Sequence, residues 1–547
     1  MLINNGVAVR TVRVHEDAVL YLLPKQHFLE LCQKYPEFAD YFTSTFGKRM
    51  MDRSYAAIVA KVSVPSEETP GFPLTQSIEQ VCNKEIIACG MDATIQEAAI
   101  CMTESKRSSI LVKDARNRYI GIVTDRDFRQ KVVAEGRDIH EKVSSIMSSP
   151  LVTIPGNAPI FEAILLMVQK NIQHLAVTNA RGKVIGVTSN KGLLMAQGQS
   201  PVLLIREILE ATAPEELFGK QKKISFFVKD MVRMGARADH LNRLITTVSD
   251  AILKKLIQFA LERLGEPPVR FVFLTLGSEG RKEQTLKTDQ DNAILYEDVP
   301  EADAIKVQKY FLDFGEMVCG WLDKAGYKYC NGGIMAQNPQ WCQPLSIWKK
   351  YFRTWIHTPE PKAVMHSTIF FDFVGAFGDM SLADELRNYL FGLLDHRAGV
   401  FFYHLANNSL NIKPPLGFFR NFVVESKGEH RNALDIKKAM TPIVDFARCY
   451  ALEAKIEVTN TLERLTRLYA EKVISDKEYD ELVQAYRYLM QLRLVRQVKA
   501  VVNEQQEPDN YINPKTLTHI EQKMLKEIFS LIGDYQQKLK VHFTGFA

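Results

Sequence analysis

Two aspartates, Asp289 and Asp291, fall near the end of the stretch Phe271–Tyr296, which reads FVFLTLGSEGRKEQTLKTDQDNAILY. In a strand, residues i and i+2 share a face, so the two carboxylates would point the same way. Paired oxygen donors at that spacing suit Mg2+, which takes one or two carboxylates and keeps room for substrate phosphates. Gly277-Ser278 lies just upstream, after a run of aromatic and β-branched residues. Backbone N–H groups bared at such a turn cradle a phosphate, and Arg281 or Lys282 would neutralise charge there. The set reads as a cation site beside a phosphate site.

The elements that must position these groups follow from the same region. Gly265-Glu-Pro-Pro ends a helical run, and Phe271–Leu276 is expected as a buried strand. A glycine-punctuated turn and a polar segment lead to a second strand carrying both aspartates. Downstream, Ser367–Val374 (STIFFDFV) is a strongly apolar run with one acid, Asp372, and is expected as a further strand. Between them, Asn331-Gly332-Gly333 marks a tight turn. Asn338 and Trp341 beyond it are candidates to face the base or acceptor, but Trp341, Trp348 and Trp355 are read first as packing on an amphipathic helix. From Phe401 on, Leu462, Leu465 and Leu468, then Leu489, Leu492 and Val495, show helical spacing. There Lys437, Asp445 and Arg448 are placed to reach the nucleotide or the protein acceptor, but are read first as ordinary ion-pairing residues of a bundle.

GSEGRKEQ followed by TDQDNAILY resembles the nucleotidyltransferase superfamily, in particular the catalytic domains of bacterial PII uridylyltransferases and glutamine-synthetase adenylyltransferases. It is more similar still to signal-transduction nucleotidyltransferases that carry cyclic-nucleotide-binding and CBS domains upstream. The resemblance implies transfer of a nucleotide from ATP or UTP to a PII-like protein. Asp289 and Asp291 would share two Mg2+ ions, which stabilise entering and leaving oxygens together. Gly277, Ser278, Arg281 and Lys282 would hold the nucleotide's phosphates. A third carboxylate on a later strand, Asp372 here, would be a base or metal ligand. The family's basic residue after that strand is replaced by Val374-Gly375. Gln284, Thr288 and Asn292 are candidates to orient the aspartates or the nucleotide.

Residues 80–200 repeat with a shift of 65: Ile95-Gln96-Glu97-Ala98 falls on Ile160-Phe161-Glu162-Ala163, and Ile120-Gly121-Ile122 on Ile185-Gly186-Val187. Each copy reads helix, strand, turn, strand, and the whole resembles a tandem CBS pair. GIVTDRDF, Gly121–Phe128, is similar to that family's adenosine-contact segment. The resemblance implies AMP or ATP in the first cleft, with Thr124 near phosphate or ribose and Asp127 accepting from ribose hydroxyls. In the second copy Ser189 replaces the threonine and Gly192 the aspartate, so at most one working cleft is expected. CBS pairs also imply a homodimer.

Val7–Leu23 alternates as two short strands, and Phe28, Leu31 and Tyr35 continue at helical spacing. This resembles the end of a cyclic-nucleotide-binding β-roll, beginning too late to include its phosphate-binding Gly-Glu segment. A docking surface is expected there rather than cyclic-nucleotide binding. The 69 basic and 64 acidic side chains nearly cancel, which gives no case for nucleic acid. No apolar run approaches a bilayer span and no secretory signal opens the chain. The eight cysteines show no Cys-x-x-Cys spacing, as expected of reduced thiols in the cytoplasm. Asp239-His240 and Asp395-His396 reverse the His-Asp phosphohydrolase order, so hydrolytic removal of the nucleotide is not expected.

The expected fold is multidomain α/β. A β-roll remnant covers 1–60, two CBS modules 80–142 and 143–200, and a helical connector 201–265. A nucleotidyltransferase α/β core with mixed sheet covers 266–400, and a C-terminal helical bundle 401–547. The rival expectation is a non-catalytic nucleotide-sensing regulator with a degenerate transferase fold.

Overall fold

The structure, a computed structural model, describes residues 77–545 except 159, 171, 180, 190–200, 234–235, 360–366, 395–397 and 418–419; of the first 76, it describes 27, 30 and 31. The expected β-roll remnant, Gly192 and Asp395-His396 lie outside the described residues. The chain forms two compact units, one of residues 67–206 and one containing residues 207–547. Among the described residues no helix is long and apolar enough to cross a membrane.

In the first unit the repeat is structural. Module one is β1 (Ala88–Gly90), α1 (Ile95–Glu104), β2 (Ser109–Lys113) and β3 (Tyr119–Thr124); module two is β4 (Thr153–Pro155), α2 (Ile160–Gln169), β5 (His174–Thr178) and β6 (Val184–Ser189). Each makes a three-stranded sheet in which the first pair is parallel and the second antiparallel. Alternation buries the same positions in both copies. Thr94 and Glu97 close a reciprocal cap at the start of α1.

The two modules exchange their leading segments. Asn83, ahead of module one, trades both backbone hydrogen bonds with Val187 of β6 at 2.9 Å. Ser148, its counterpart in the repeat, does the same with Ile122 of β3 at 2.8 and 3.1 Å. Ile78 likewise donates to Ala158 of module two, and Val143 to Ala93 of module one. This close approach needs glycine: a Cβ on Gly186 would lie 2.7 Å from the Asn83 carbonyl, and one on Gly121 2.9 Å from that of Ser148. Gly186→Ala is therefore expected to cost about 1–3 kcal/mol, as overpacking against backbone does. It should appear in calorimetry of the full chain as an earlier melting transition of this unit.

The second unit is built on a four-stranded mixed sheet in the order β10-β7-β8-β9. Helices α3 (Lys220–Arg233) and α4 (Ala238–Leu264) precede it. Strand β7 (Phe271–Thr275) pairs antiparallel with β8 (Asn292–Tyr296), and all ten residues are buried. Helix α5 (Glu301–Ala325) crosses to β9 (Cys342–Pro344), which runs parallel to β8. Helix α6 (Leu345–His357) then leads to β10 (Val374–Gly378), antiparallel to β7. After α7 (Met380–Leu393) the chain is helical: α8 (Gly399–Leu410), α9 (Ile436–Glu453), α10 (Thr461–Ala470), α11 (Asp476–Val498) and α12 (His519–Thr544).

Three expectations need correction. Asp289 and Asp291 stand just before β8 instead of within it, because Gln290 donates to the Lys328 carbonyl and Leu276 to the Asp291 carbonyl, holding 289–291 extended at the strand's mouth. Thr368–Asp372 is a 3-10 turn and the strand begins only at Val374. The expected connector is no separate piece: Asn242 of α4 donates to the Gln284 carbonyl at 2.6 Å, and the Tyr327 hydroxyl donates to Ser249 of the same helix at 2.9 Å.

Candidate functional site

β7 ends at Thr275, and one helical turn, Gly277–Gly280, follows. Gly277 has φ +54°, where a side chain is strained, and a Cβ there would press on Ile369 at 2.9 Å and Asp291 at 3.1 Å. At Gly280 a Cβ would overlap the Asp372 carbonyl at 2.1 Å. Glycine thus lets the turn nest between the Asp291 and Asp372 segments. Among the described residues the N–H groups of Gly277 and Ser278 have no acceptor.

The helical region grips the segment that follows. Thr459 donates to the Gly280 carbonyl at 2.7 Å and Asn460 to that of Arg281 at 2.9 Å. The Thr461 N–H donates to Glu283 at 2.7 Å. The Gln497 amide, on α11, accepts from Leu286 N–H at 2.9 Å and donates to Thr285 at 3.1 Å. Over the turn lies a cavity of about 420 Å3. Gly277, Ser278 and Asp291 form its floor, and Lys437, Asp445 and Arg448 of α9 and Arg493 of α11 form its far wall. Lys437 and Arg493 have no carboxylate at ion-pair distance among the described residues, although Arg493 donates to Asn510 at 2.9 Å.

Asp291 is 8% exposed, and its carboxyl is pushed up to about 7 by burial and then by the Asp289 charge. One ligand atom each of Asp289, Asp291 and Cys330 lies within 4.8 Å of the others. Half-buried Glu279 is pushed well above the carboxylate range by burial and by Asp250, Asp291 and Asp289. Asp250 on α4 is raised to about 6, mainly by burial. A carboxylate cluster that resists ionisation is what a cation would relieve.

Asp372 is not part of that cluster. It is wholly buried, and its two oxygens accept from Arg281 at 2.7 Å, Arg464 at 2.7 Å and Arg448 at 2.6 and 3.2 Å. Burial alone would raise its carboxyl; Arg448, Arg464 and Arg281 together hold it far below the usual range. With four donors on two oxygens it has no lone pair to spare, so the expected triad of Asp289, Asp291 and Asp372 is not assembled. Arg281 is committed too, to Asp372 and to Glu283 at 2.8 Å. Lys282 is exposed, with φ +56°. Arg448 and Asp445, read as bundle ion pairs, do pair with each other, but they also face the cavity.

The remaining candidates are mostly structural. Asn292 accepts from Ala336 N–H at 2.8 Å and Gln290 donates to two carbonyls, so both hold backbone. Gln284 is buried with its amide unpartnered, and Thr288 makes one long contact, 3.5 Å, to the Asp289 carbonyl. Trp341 packs on Phe370 at 4.3 Å and on Trp348, as expected of an aromatic core.

In the CBS unit, Thr124 donates to Asp127 through its hydroxyl at 2.6 Å and its N–H at 2.9 Å, and Lys131 pairs with the other oxygen at 2.7 Å. The two expected adenosine contacts are thus together but satisfy each other. Ser189 lies at the matching end of β6, opposite His174, whose Nε2 contacts Ser108 of the first module at 2.9 Å. Burial holds that imidazole below its ordinary range, towards the neutral form.

Family models match in four places: CBS domains over residues 78–134 and 143–198, "Putative nucleotidyltransferase DUF294" over 222–362, and "Putative nucleotidyltransferase substrate binding domain" over 399–543. An uncharacterised protein of Methanopyrus kandleri is 30% identical over 149 residues, which cover 27% of this chain and 71% of that protein. The chain carries a pair of CBS domains, a putative nucleotidyltransferase DUF294 domain and its C-terminal substrate-binding domain. The CBS domain-containing protein YhcV of Bacillus subtilis is 29% identical over 121 residues, covering 22% of this chain and 85% of YhcV. Among solved structures, the CBS domain protein PAE2072 of Pyrobaculum aerophilum, complexed with AMP, is 24% identical and covers 23% of this chain and 95% of its own, with a TM-score of 0.21. The DUF294 match begins within α3, so α4 belongs to the same domain as the sheet. The cavity lies where the DUF294 domain meets the substrate-binding domain, with residues of both in its wall.

Proposed function

We propose that this DUF294 protein is a cytoplasmic enzyme that transfers a nucleotidyl group from ATP or UTP to a PII-like protein. In this reading Mg2+ serves the DUF294 domain, and adenine nucleotide at a CBS pair that also makes a homodimer sets its activity. One observation carries the reading. The Gly277-Ser278 turn and the buried Asp291 carboxylate share the floor of a cavity overhung by Lys437 and Arg493.

The donors fit a divalent cation, since Asp289 and Asp291 converge and Asp291 is a buried carboxylate with no cationic side chain bonded to it among the described residues. Bound Mg2+ would neutralise phosphate oxygens of the nucleotide as pyrophosphate leaves. The chain's own groups do the rest. The free N–H groups of Gly277 and Ser278 receive phosphate oxygens, and Lys437 and Arg493 balance their charge from above. Arg281 and Arg448, clamped on Asp372, fix the turn against α9 instead of binding substrate. With Asp372 committed, a second cation would draw its ligands from the nucleotide. In the CBS unit, ribose binding would require Asp127 to exchange Thr124 or Lys131 for the hydroxyls.

The commitment of Asp372 also favours a second reading, a regulator that binds nucleotide without transferring it. Purified protein incubated with α-labelled ATP or UTP, Mg2+ and cell lysate separates the two. Label on a protein band that disappears in Asp289→Ala supports transfer. Nucleotide binding with no pyrophosphate release from any nucleotide supports the regulator.

A further inference from the structure

The pairing beside Asp289 brings in a residue of a different kind. Asp289 forms an isolated parallel bridge with Lys328, and Gln290 is tied to the same strip through its N–H on the Lys328 carbonyl at 2.8 Å and its amide on the Tyr327 carbonyl at 2.8 Å. In a parallel arrangement a step of two residues on each side keeps partners adjacent and on one face. Here the pairing stops after Gln290, because Asn292 N–H donates to the Ile334 carbonyl at 3.2 Å, but Cys330, two residues past Lys328, still lies beside both aspartates. The turn after it, closed by Gly333 N–H on the Cys330 carbonyl at 3.0 Å, holds the thiol in place. The result is a sulfur beside the Asp291 carboxylate, with its Sγ and one oxygen of each aspartate within 4.8 Å of one another. Asp291, more than nine-tenths buried and facing the cavity, has no other side-chain partner among the described residues.

We infer that Asp289, Asp291 and Cys330 form one mixed oxygen–sulfur site that takes a borderline or soft divalent cation, of the Zn2+, Co2+ or Cd2+ class, in preference to Mg2+. The inference rests on the reading of the aspartate pair as a cation site and adds the thiolate as its third ligand. Two carboxylates alone favour hard cations, while a thiolate shifts selection toward zinc-like ions. On ligation the S–H bond breaks and its proton leaves to solvent as the sulfur–metal bond forms, with Asp291 giving an oxygen to the same cation. Zinc-like ions would then displace Mg2+ and hold the site in a form poorly suited to phosphate chemistry.

The test is titration of the full-length protein with Cd2+ or Co2+, following the sulfur-to-metal charge-transfer absorption, alongside Mn2+ binding by electron paramagnetic resonance. The wild-type protein should show a band that saturates with one equivalent and is missing in Cys330→Ser. That variant should lose Cd2+ affinity by roughly tenfold or more, the scale on which even a ligand's supporting partner matters, and keep its Mn2+ affinity within about threefold. Asp291→Asn, which leaves the thiol in place, should weaken the same band. This distinguishes the three-residue site from binding at any of the other cysteines. Mn2+ binding with a Cd2+ band unchanged in Cys330→Ser overturns the thiolate ligand and leaves the aspartate pair standing. Binding of neither Mn2+ nor Cd2+ overturns both.

Discussion

Asp372→Ala lowers the stability of the second unit by about 3–5 kcal/mol, the usual cost of removing one partner from a buried ion network. The side chain has no exposure, and three guanidiniums converge on it. Without the carboxylate, Arg281, Arg448 and Arg464 face one another with only Glu283 and Asp445 to balance them. Burial and neighbouring positive charge already depress Arg464, apart from Asp372's own pull. In a unit of this size the loss corresponds to a fall in melting temperature of roughly 4–7 °C. Asp372→Asn, which keeps the shape and loses the charge, should fall between. If Asp372→Ala melts like the unmutated protein and loses only transfer, the residue is a reacting group and the reading of it as a brace is wrong.

Asp291→Asn should have the opposite sign. The folded-state carboxyl lies near 7, well above its unfolded value. The folded protein therefore holds a proton that the unfolded chain has already released, and stability falls as pH rises from about 4 through about 7. Above that window the buried charge costs on the order of 2–4 kcal/mol. The asparagine side chain cannot ionise, so the variant should melt higher than the unmutated protein at pH 8 in chelator and flatter across pH 5–8. Divalent cation at about a thousandfold excess over Kd should reverse the ranking, since it adds about 4.1 kcal/mol to the protein that binds it. Transfer activity, if present, should vanish. A variant less stable than its parent at pH 8 in chelator would remove Asp291 from the role of strained cation ligand. Stabilisation with loss of activity is the mark of a group kept at a cost to the fold.

The two aspartates that differ so sharply in the structure look alike in the sequence. Both sit in apolar runs, and spacing alone cannot tell a carboxylate waiting for a cation from one already surrounded. The difference lies in partners 76 and 92 residues further on, Arg448 and Arg464. They come from helices whose pattern announces only an apolar face. The Gly-Ser turn and the Asp289/Asp291 pair were legible because backbone needs and short-range alternation dictate them. The CBS repeat was legible because the same positions must be buried twice. Cys330 carried no signal, since its place depends on a single parallel bridge made across an intervening helix. The wall of α9 was half legible: Lys437, Asp445 and Arg448 were visible as charges, but the cavity they face exists only once the substrate-binding domain wraps residues 280–287.

The exchanged segments of the CBS unit bear on how it can be taken apart. Residues 77–83 bond to the edge of the second sheet and residues 143–148 to that of the first, so a cut between the repeats leaves each fragment holding a segment that the other needs. Two such fragments, made separately, would be poor folders with open sheet edges. Made together, they have a ready route to each other, because every bond that crosses the cut is one that both must form. Duplication of a single module would have faced the same demand from its first generation, being whole only when paired with a copy of itself.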